Sequence, residues 1–595
     1  MYRLRSFSAM SFLDWISMKT TNEPSVTSWR PTVAGTHYSV SSGHSLATAA
    51  AMRVLDKGGN AVDAGVTAAL ALAVLQPDVV SFAGVAPTLI YLRELNQVIS
   101  LAGLGYWPAR TDVNRLRSEG GQSVPKGILR QIVPAAPATH VLALREFGTI
   151  SFEEAVMPAL ELAREGFYLY PVLRGNIERH AAEIDRYLEN ATVFRPGGRT
   201  PEVGSRFQQI NLARTIGRMI DAERNAPGDR RAKLRAVHEY FYRGPIAHEI
   251  VAFHIAHGGF LREDDLASFE VPVEQSISIE YRGYQVHTCD VWCQGIILLE
   301  ALNIIGREDV TRFQHNSPDY LHLITEALNL AFSDREAYVG DPRFVDVPTT
   351  ELLSNAHAIR QRARISPERA FGEMPLPGLQ RARSQLDQVE IARSSGEVTA
   401  APDTIYGCVV DASGNAFSVT PSDTMYDSPM IDGLGFAPST RGNQGRLIDS
   451  HPCSVVPGKR PRLTPTPALA LRDGQVGMVW GTPGGDVQCS SMLQVFLNVT
   501  QFGMELQQAV EAARVAPFSF PNSFAPNDYL PGRVCVESRI STETVESLKR
   551  RGHDVQLWPE LAWAAGAVCA IFRDPRTGML HAGADPRRAA YAAAW

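Results

Sequence analysis

Cysteine is scarce in this chain, seven residues in 595, and no two of them form a C-x-x-C pair or a paired zinc-ligand spacing. That excludes a disulfide scaffold or a zinc module readable from sequence. An odd set spread from Cys289 to Cys569 reads as buried thiols in a reducing compartment. Long apolar runs are also lacking: nothing approaches the roughly 20 residues of a membrane span. The most apolar stretch, Ala61 to Leu75, is interrupted by Asp63 and reads as a buried helix. Near the N-terminus Arg3 and Arg5 precede some apolar residues, but Asp14 breaks any signal-peptide core, so a cytoplasmic protein without membrane contact is expected. There is no excess of positive charge. A net charge of -6, a pI near 6.2 and scattered arginines argue against a nucleic-acid partner. Histidine clusters are missing too. His254 and His257 stand three apart but show no recognised metal-ligand motif, so they read as structural and no metal is implied. No internal repeat is evident.

What is present is a chain 45% hydrophobic, long enough to bury large cores. Leu46 to Leu55 and Ala61 to Leu75 carry apolar residues at helical spacing around a Lys57-Gly58-Gly59-Asn60 break, which predicts two helices with a glycine stop between them. Thr88 to Leu92 with Gln97 to Leu101, and Ile277 to Tyr281 with Tyr284 to Thr288, read as strand pairs. Helices are expected over Ser151 to Gly166, Leu298 to Ile305 and Tyr320 to Tyr338. The charged stretch from Asn176 to Asn225 reads as a peripheral helical excursion. Beyond residue 403 the texture changes to hairpins: Tyr406 to Val410 with Ala416 to Thr420, Leu469 to Arg472 with Val476 to Trp480, and Ala567 to Phe572 with Met579 to Ala582. A long helix, Asp486 to Phe502, lies among them. Sheets stacked against helices follow from this alternation.

Two local features carry chemistry. Phe371 to Pro402 is rich in Pro, Gly, Ser and mixed charge, without apolar period, and suits an exposed connection; a strand-like run then begins abruptly at Thr404. A threonine hydroxyl needs an adjacent base to act as a nucleophile. Its own α-amino group can be that base only if the bond between Asp403 and Thr404 is cut. Thr420, Ser422 and Thr424 alternate along the returning strand and share a face, so pairing with the Thr404 strand would bring hydroxyls to it. Secondly, Gly484 and Gly485 lie between a strand and a helix, where backbone N–H groups can point at an anion or a developing oxyanion. The loop has neither the Lys-Ser/Thr of a P-loop nor G-x-G-x-x-G spacing, which leaves no nucleotide cofactor to expect. Lys459, Arg460, Pro461 and Arg462 are too few for a nucleic-acid surface and suit a substrate carboxylate or structural ion pairs equally well.

Taken in order, these pieces resemble the γ-glutamyltranspeptidase family of N-terminal nucleophile (Ntn) hydrolases, from about His44 to Tyr591. The matching residues are Lys57 to Ala64; Asp334, Arg335, Tyr338, Gly340, Asp341 and Pro342; Thr404 with Val409, Val410, Asp411, Gly414 and Asn415; Gly458 to Pro461; Gly481 to Gly485; and Gly583 to Arg587. The resemblance implies an α+β, four-layer αββα sandwich. It implies one precursor with an N-terminal extension (1–35), a large subunit (36–403, with its linker at about 371–403) and a small subunit (404–595). The two would stay associated after the cut, with a dimer of such heterodimers as the further possibility. It also implies Thr404 as nucleophile, Ser422 as the hydroxyl supporting it, and Gly484 and Gly485 as oxyanion hole, acting on a small-molecule amide without a cofactor.

Departures from the family pattern narrow the substrate. Leu104 stands about where the family's γ-glutamyl enzymes carry the Arg that pairs with the glutamate α-carboxylate. Leu463 and Thr464 replace the paired serines gripping that carboxylate, and Thr424 replaces an Asn near the nucleophile. A guanidinium–carboxylate pair is a strong recognition device, so its loss argues against γ-glutamyl substrates. The run Trp292, Cys293, Gln294, Gly295 resembles the amidohydrolase-like, oxamate-hydrolase-type branch. A small non-γ-glutamyl amide is therefore expected. One alternative is true γ-glutamyl transfer or glutathione hydrolysis with Arg110, Arg441 or Arg462 as a substitute anchor; another is a non-catalytic homologue that only binds.

Overall fold

The computed structural model describes residues 28–379, 396, 398 and 404–595. Two seven-stranded antiparallel sheets lie at its centre. One runs in the order Tyr591–Ala594, Ser39–Ser42, Gly407–Val410, Ala416–Val419, Thr88–Leu92, Gln97–Leu101, Val273–Gln275. The other runs Val33–Gly35, Leu580–Ala584, Cys569–Arg573, Gln475–Gly481, Ala468–Arg472, Tyr284–Thr288, Ile277–Tyr281.

Strand side chains alternate between the two faces of a sheet, and that alternation sorts the apolar residues into three stacked cores. Leu89, Tyr91, Cys408 and Val410 of the first sheet meet Leu469, Leu471, Val479 and Ile571 of the second. Their neighbours Ile90, Val409 and Phe417 face a helical layer that includes Ser45–Asp56 and Ala61–Leu75. On the far side Ala468, Ala470, Met478 and Trp480 face Ile296–Ile305, Pro318–Tyr338 and Val487–Thr500. The layers are thus α, β, β, α, as the resemblance implies. Strands from before and after residue 404 interleave in both sheets, so the two parts cannot separate without breaking both ladders.

Several residues of the resemblance are architectural. Asn60 and Asp63 form a capping box at the start of Ala61–Leu75, and Asp63 also accepts from Thr149 N and Oγ1. Asp411 accepts from Ala61 N at 2.9 Å and from Asn415 N and Nδ2, tying that helix to the hairpin after Thr404. Asp585 is held by Arg514 and Arg587.

Three expectations change. The stretch from 176 to 225 is not one peripheral excursion but the helices Pro171–Arg179, Ala181–Ile184, Leu188–Phe194 and Ile210–Asn225, with a two-stranded ribbon of Phe167–Tyr168 and Arg206–Phe207. Its charged surface hides a buried stripe of Ile177, Ile184, Phe194, Leu212, Ile216 and Met219 that joins the main core. Asn190 there holds Met425 O, Ser428 O and Met430 N. The expected extension ends inside the fold, because Val33–Gly35 pairs with Leu580–Ala584. The start of the linker is tied down as well: Phe371 N donates to Glu326, Ser333 to Pro375 O, Gly378 N to Asp334 and Tyr338 to Leu379 O. Gly396 and Val398 are held by Arg533 and Gln556. Asp403, on one side of the expected cleavage, lies outside the described residues.

Candidate active site

Thr404 is fully buried, just ahead of Gly407–Val410, near the middle of the first sheet. It forms a lone antiparallel bridge with Ser422, and Ser422 in turn bridges Val85 of the large part. The hydroxyls of Thr404 and Ser422 lie 2.7 Å apart. The alternation expected along Thr420, Ser422 and Thr424 therefore delivers Ser422 to Thr404. It does not persist to Thr424: Asp423 takes φ 137°, a region that side chains disfavour, and Thr424 is half-buried with its carbonyl toward Thr440. The chain at Ser422 has no room to shift. A Cβ on Gly84 would stand 2.2 Å from Ser422 O, and Asp423 N donates to Val79 O.

That strained residue anchors a cation. Asp423 Oδ1 accepts from Thr440 N at 3.0 Å and Thr440 Oγ1 at 2.8 Å, Oδ2 accepts from Ser439 Oγ at 2.8 Å, and the Arg441 Nε lies 3.4 Å away. Burial pushes the Asp423 carboxyl up, while Arg441 and these donors pull against it. The Arg441 guanidinium also donates through Nη2 to Ser422 Oγ, and it lies 5.4 Å from the Phe524 ring centre.

Gly484 and Gly485, at φ 123° and 58°, turn the chain from Gln475–Gly481 into Val487–Thr500, a turn that needs glycine. Among the described residues their N–H groups donate to no protein atom, although Gly485 is buried. Their carbonyls are engaged: Gly484 O accepts from Val487 N, and Gly485 O from Gln488 N and from Gln294 Nε2 at 3.1 Å. Neighbouring N–H groups left unsatisfied at a helix start, one of them on a buried residue, suit an incoming oxyanion. The ring of Tyr406, two residues after Thr404, packs where a Cβ on Gly481 would be, which brings the two strand ends together across the sheets.

A buried polar frame holds the glycine turn. Gln294 Nε2 reaches both Gly485 O and Thr464 O, and its Oε1 accepts from Arg335. Arg335, wholly buried, also holds Asp486, Glu336, Ser523 and Pro521 O. Burial alone would raise the Glu336 carboxyl, but Arg462 and Arg335 outweigh it and hold it well below the usual carboxylate range.

The substrate-binding positions divide. Leu104 and Leu463 are buried in one apolar cluster between the sheets, and Thr464 Oγ1 accepts from Gln444 at 2.9 Å. Of the possible substitute anchors, Arg110 is exposed, Arg462 is spent on Glu336 and Arg335 O, and Arg441 is tied to Asp423 and Ser422. Asp423 and Gln444 carry no motif of their own in sequence. Asp423 had one available signal, being one of only two carboxylates between Thr404 and Tyr426.

Two buried groups among the described residues gather metal-type donors within 4.8 Å: Glu300, Asp334 and His357, and His322, Glu326 and His553. Each is knit by its own hydrogen bonds. His357 Nε2 lies 3.0 Å from Asp334 and 3.2 Å from Glu300; His322 Nδ1 lies 2.8 Å from His553 Nε2, and His322 Nε2 meets Ser366 O. Neither group includes Thr404 or Ser422. Burial pushes the Glu326 carboxyl from 4.5 up to about 7 and the His553 imidazole down to about 3. Between 4.5 and 7 the folded chain keeps a proton on Glu326 that the unfolded chain has lost, so this residue costs stability as pH rises through that window. Glu326→Gln is accordingly expected to be more stable than the parent at pH 8, by roughly 3 kcal/mol, and to show little difference at pH 4.5. Thermal unfolding at the two pH values checks this.

The sequence model of the Gamma-glutamyltranspeptidase family matches residues 47–595. The glutathione hydrolase-like YwrD proenzyme of Bacillus subtilis is 30% identical over 559 residues, 93% of this chain and 98% of that protein. The solved structure of LmbA2991HD is 35% identical with a TM-score of 0.88, covering 95% of this chain and 99% of its own. The cephalosporin acylase of Bacillus halodurans is 28% identical with a TM-score of 0.82, covering 97% and 98%. With the family matched across almost the whole chain and its layered fold reproduced, this chain belongs to the γ-glutamyltranspeptidase family of Ntn-hydrolase enzymes.

Proposed function

We propose that the chain cuts itself before Thr404 and then hydrolyses a small amide that is not a γ-glutamyl compound, through an acyl-enzyme on Thr404. The observation that carries this is the buried Thr404–Ser422 hydroxyl pair at 2.7 Å. In the first reaction Thr404 Oγ attacks the carbonyl carbon of residue 403. The C–N bond breaks, the hydroxyl proton passes to the leaving nitrogen, and water hydrolyses the resulting ester. This frees the Thr404 α-amine and divides the chain into a large part ending at 403 and a small part starting at 404. In the second reaction that amine takes the Oγ proton as Oγ attacks the substrate carbonyl. The oxyanion is met by the N–H groups of Gly484 and Gly485, the leaving amine departs with the proton, and water releases the acid. A free amine as base requires activity to fall toward acid pH.

The apolar environment of Leu104 and Leu463 supports a substrate lacking the glutamate carboxylate. The proenzyme names of the relatives support processing, and the acylase name supports amide substrates outside the glutathione class. The test sets γ-glutamyl-p-nitroanilide beside short acyl p-nitroanilides. Release from the short acyl compounds with none from the γ-glutamyl one is expected; the reverse pattern would overturn this reading in favour of a γ-glutamyl-cleaving enzyme.

A further inference from the structure

We propose that Arg441 is a positioning residue for Thr404: it polarises the Ser422 hydroxyl so that Ser422 donates to Thr404 Oγ1 as that oxygen loses its proton. The inference rests on the reading of Thr404 as nucleophile. A guanidinium can only donate, so the bond from Arg441 Nη2 uses a lone pair of Ser422 Oγ. A hydroxyl that accepts from a cation becomes a stronger donor through its own proton, and the Thr404 oxygen lies 2.7 Å away. One hydroxyl thus separates a permanent positive charge from the atom on which negative charge develops, in a site where both residues are buried.

The surroundings fix this geometry. Arg441 is fully buried and held against Asp423, which immediately follows Ser422. Asp423 is in turn clamped by Ser439 and both donors of Thr440, the two residues that lead into Arg441. The loop from 439 to 441 therefore grips the carboxylate by three hydrogen bonds and delivers its guanidinium to Ser422. The unfavourable φ of Asp423 places strain at the hinge of the arrangement, as happens where a side chain must be aimed.

The test needs no external substrate, because the chain supplies its own scissile bond. Cleavage before Thr404 is timed on denaturing gels after a pulse of cell-free synthesis, for the parent, Arg441→Met, Arg441→Lys, Ser422→Ala, and Ser422→Ala with Arg441→Met. Asp423→Asn with Arg441→Met removes the buried pair together and guards against misfolding, with thermal unfolding recorded for each variant. Arg441→Met is expected to slow cleavage by about 10²- to 10³-fold, the range for losing one preorganised donor. Arg441→Lys should recover part of the rate. With Ser422 already replaced, removing Arg441 should cost less than about 3-fold more, because its effect passes through that hydroxyl. Effects that multiply in the double variant, or no rescue by lysine, would overturn the positioning role while leaving Thr404 as nucleophile. A parent chain that never cuts would remove the premise itself.

Discussion

Thr404→Ala is expected to leave the chain whole and to lower amide hydrolysis by roughly 10⁴-fold or more, the scale of losing a nucleophile that acts with its partners as a unit. The substitution removes one hydroxyl and one methyl from a wholly buried site. The Ser422 hydroxyl loses the oxygen 2.7 Å away, and the ladder on either side, from Gly407 to Val419, is untouched. The stability cost should therefore be small beside the kinetic one. Thr404→Ser separates the two effects, since it keeps the hydroxyl and should still cut, more slowly. Gel analysis and anilide release on the three proteins read both effects, and a Thr404→Ala protein that is cut or active would remove Thr404 from the chemistry.

Arg335→Met is expected to cost about 3–5 kcal/mol or to prevent folding, the penalty for stranding buried charge. No other side chain in the glycine-turn frame has so many partners. Arg335 holds Asp486 at the foot of the Val487–Thr500 helix, Glu336 beside it on its own helix, and the Gln294 oxygen whose amide supports Gly485 O and Thr464 O. Its guanidinium also lies 4.7 Å and 5.1 Å from the ring centres of Phe332 and Phe520. Arg335→Lys keeps the charge but cannot reproduce a planar fork, so most of the loss should remain. Denaturant unfolding measures it. Asp486→Asn, which keeps an acceptor for Ser523, should cost less, because Arg335 retains Glu336.

How far the sequence reveals the site depends on how local each interaction is. Thr88–Leu92 with Gln97–Leu101 and Ile277–Tyr281 with Tyr284–Thr288 fall where their alternation and turn residues place them, since a hairpin is decided within a dozen residues. The meeting of Thr404 and Ser422 is legible for the same reason: one hairpin sets their register. Gly484 and Gly485 are legible because the strand and helix around them are. The Asp423–Arg441 pair is not. It depends on an unfavourable backbone angle and on a loop of irregular chain whose path is fixed in part by Asn190, more than two hundred residues earlier. The buried stripe of Ile210–Asn225 was masked by its charges, which hide an apolar face whose partners lie elsewhere in the chain. Arg441 itself is visible in sequence as a candidate carboxylate anchor; only its contacts with Asp423 and Ser422 turn it toward the nucleophile.

The central claim is that Thr404 becomes the first residue of a separate polypeptide. N-terminal sequencing with intact mass of the purified protein tests it most directly. The account predicts two polypeptides of about two-thirds and one-third of the 65.1 kDa chain, the smaller beginning Thr-Ile-Tyr-Gly. A single 65.1 kDa chain that hydrolyses amides, or a smaller fragment beginning at any other residue, would contradict it.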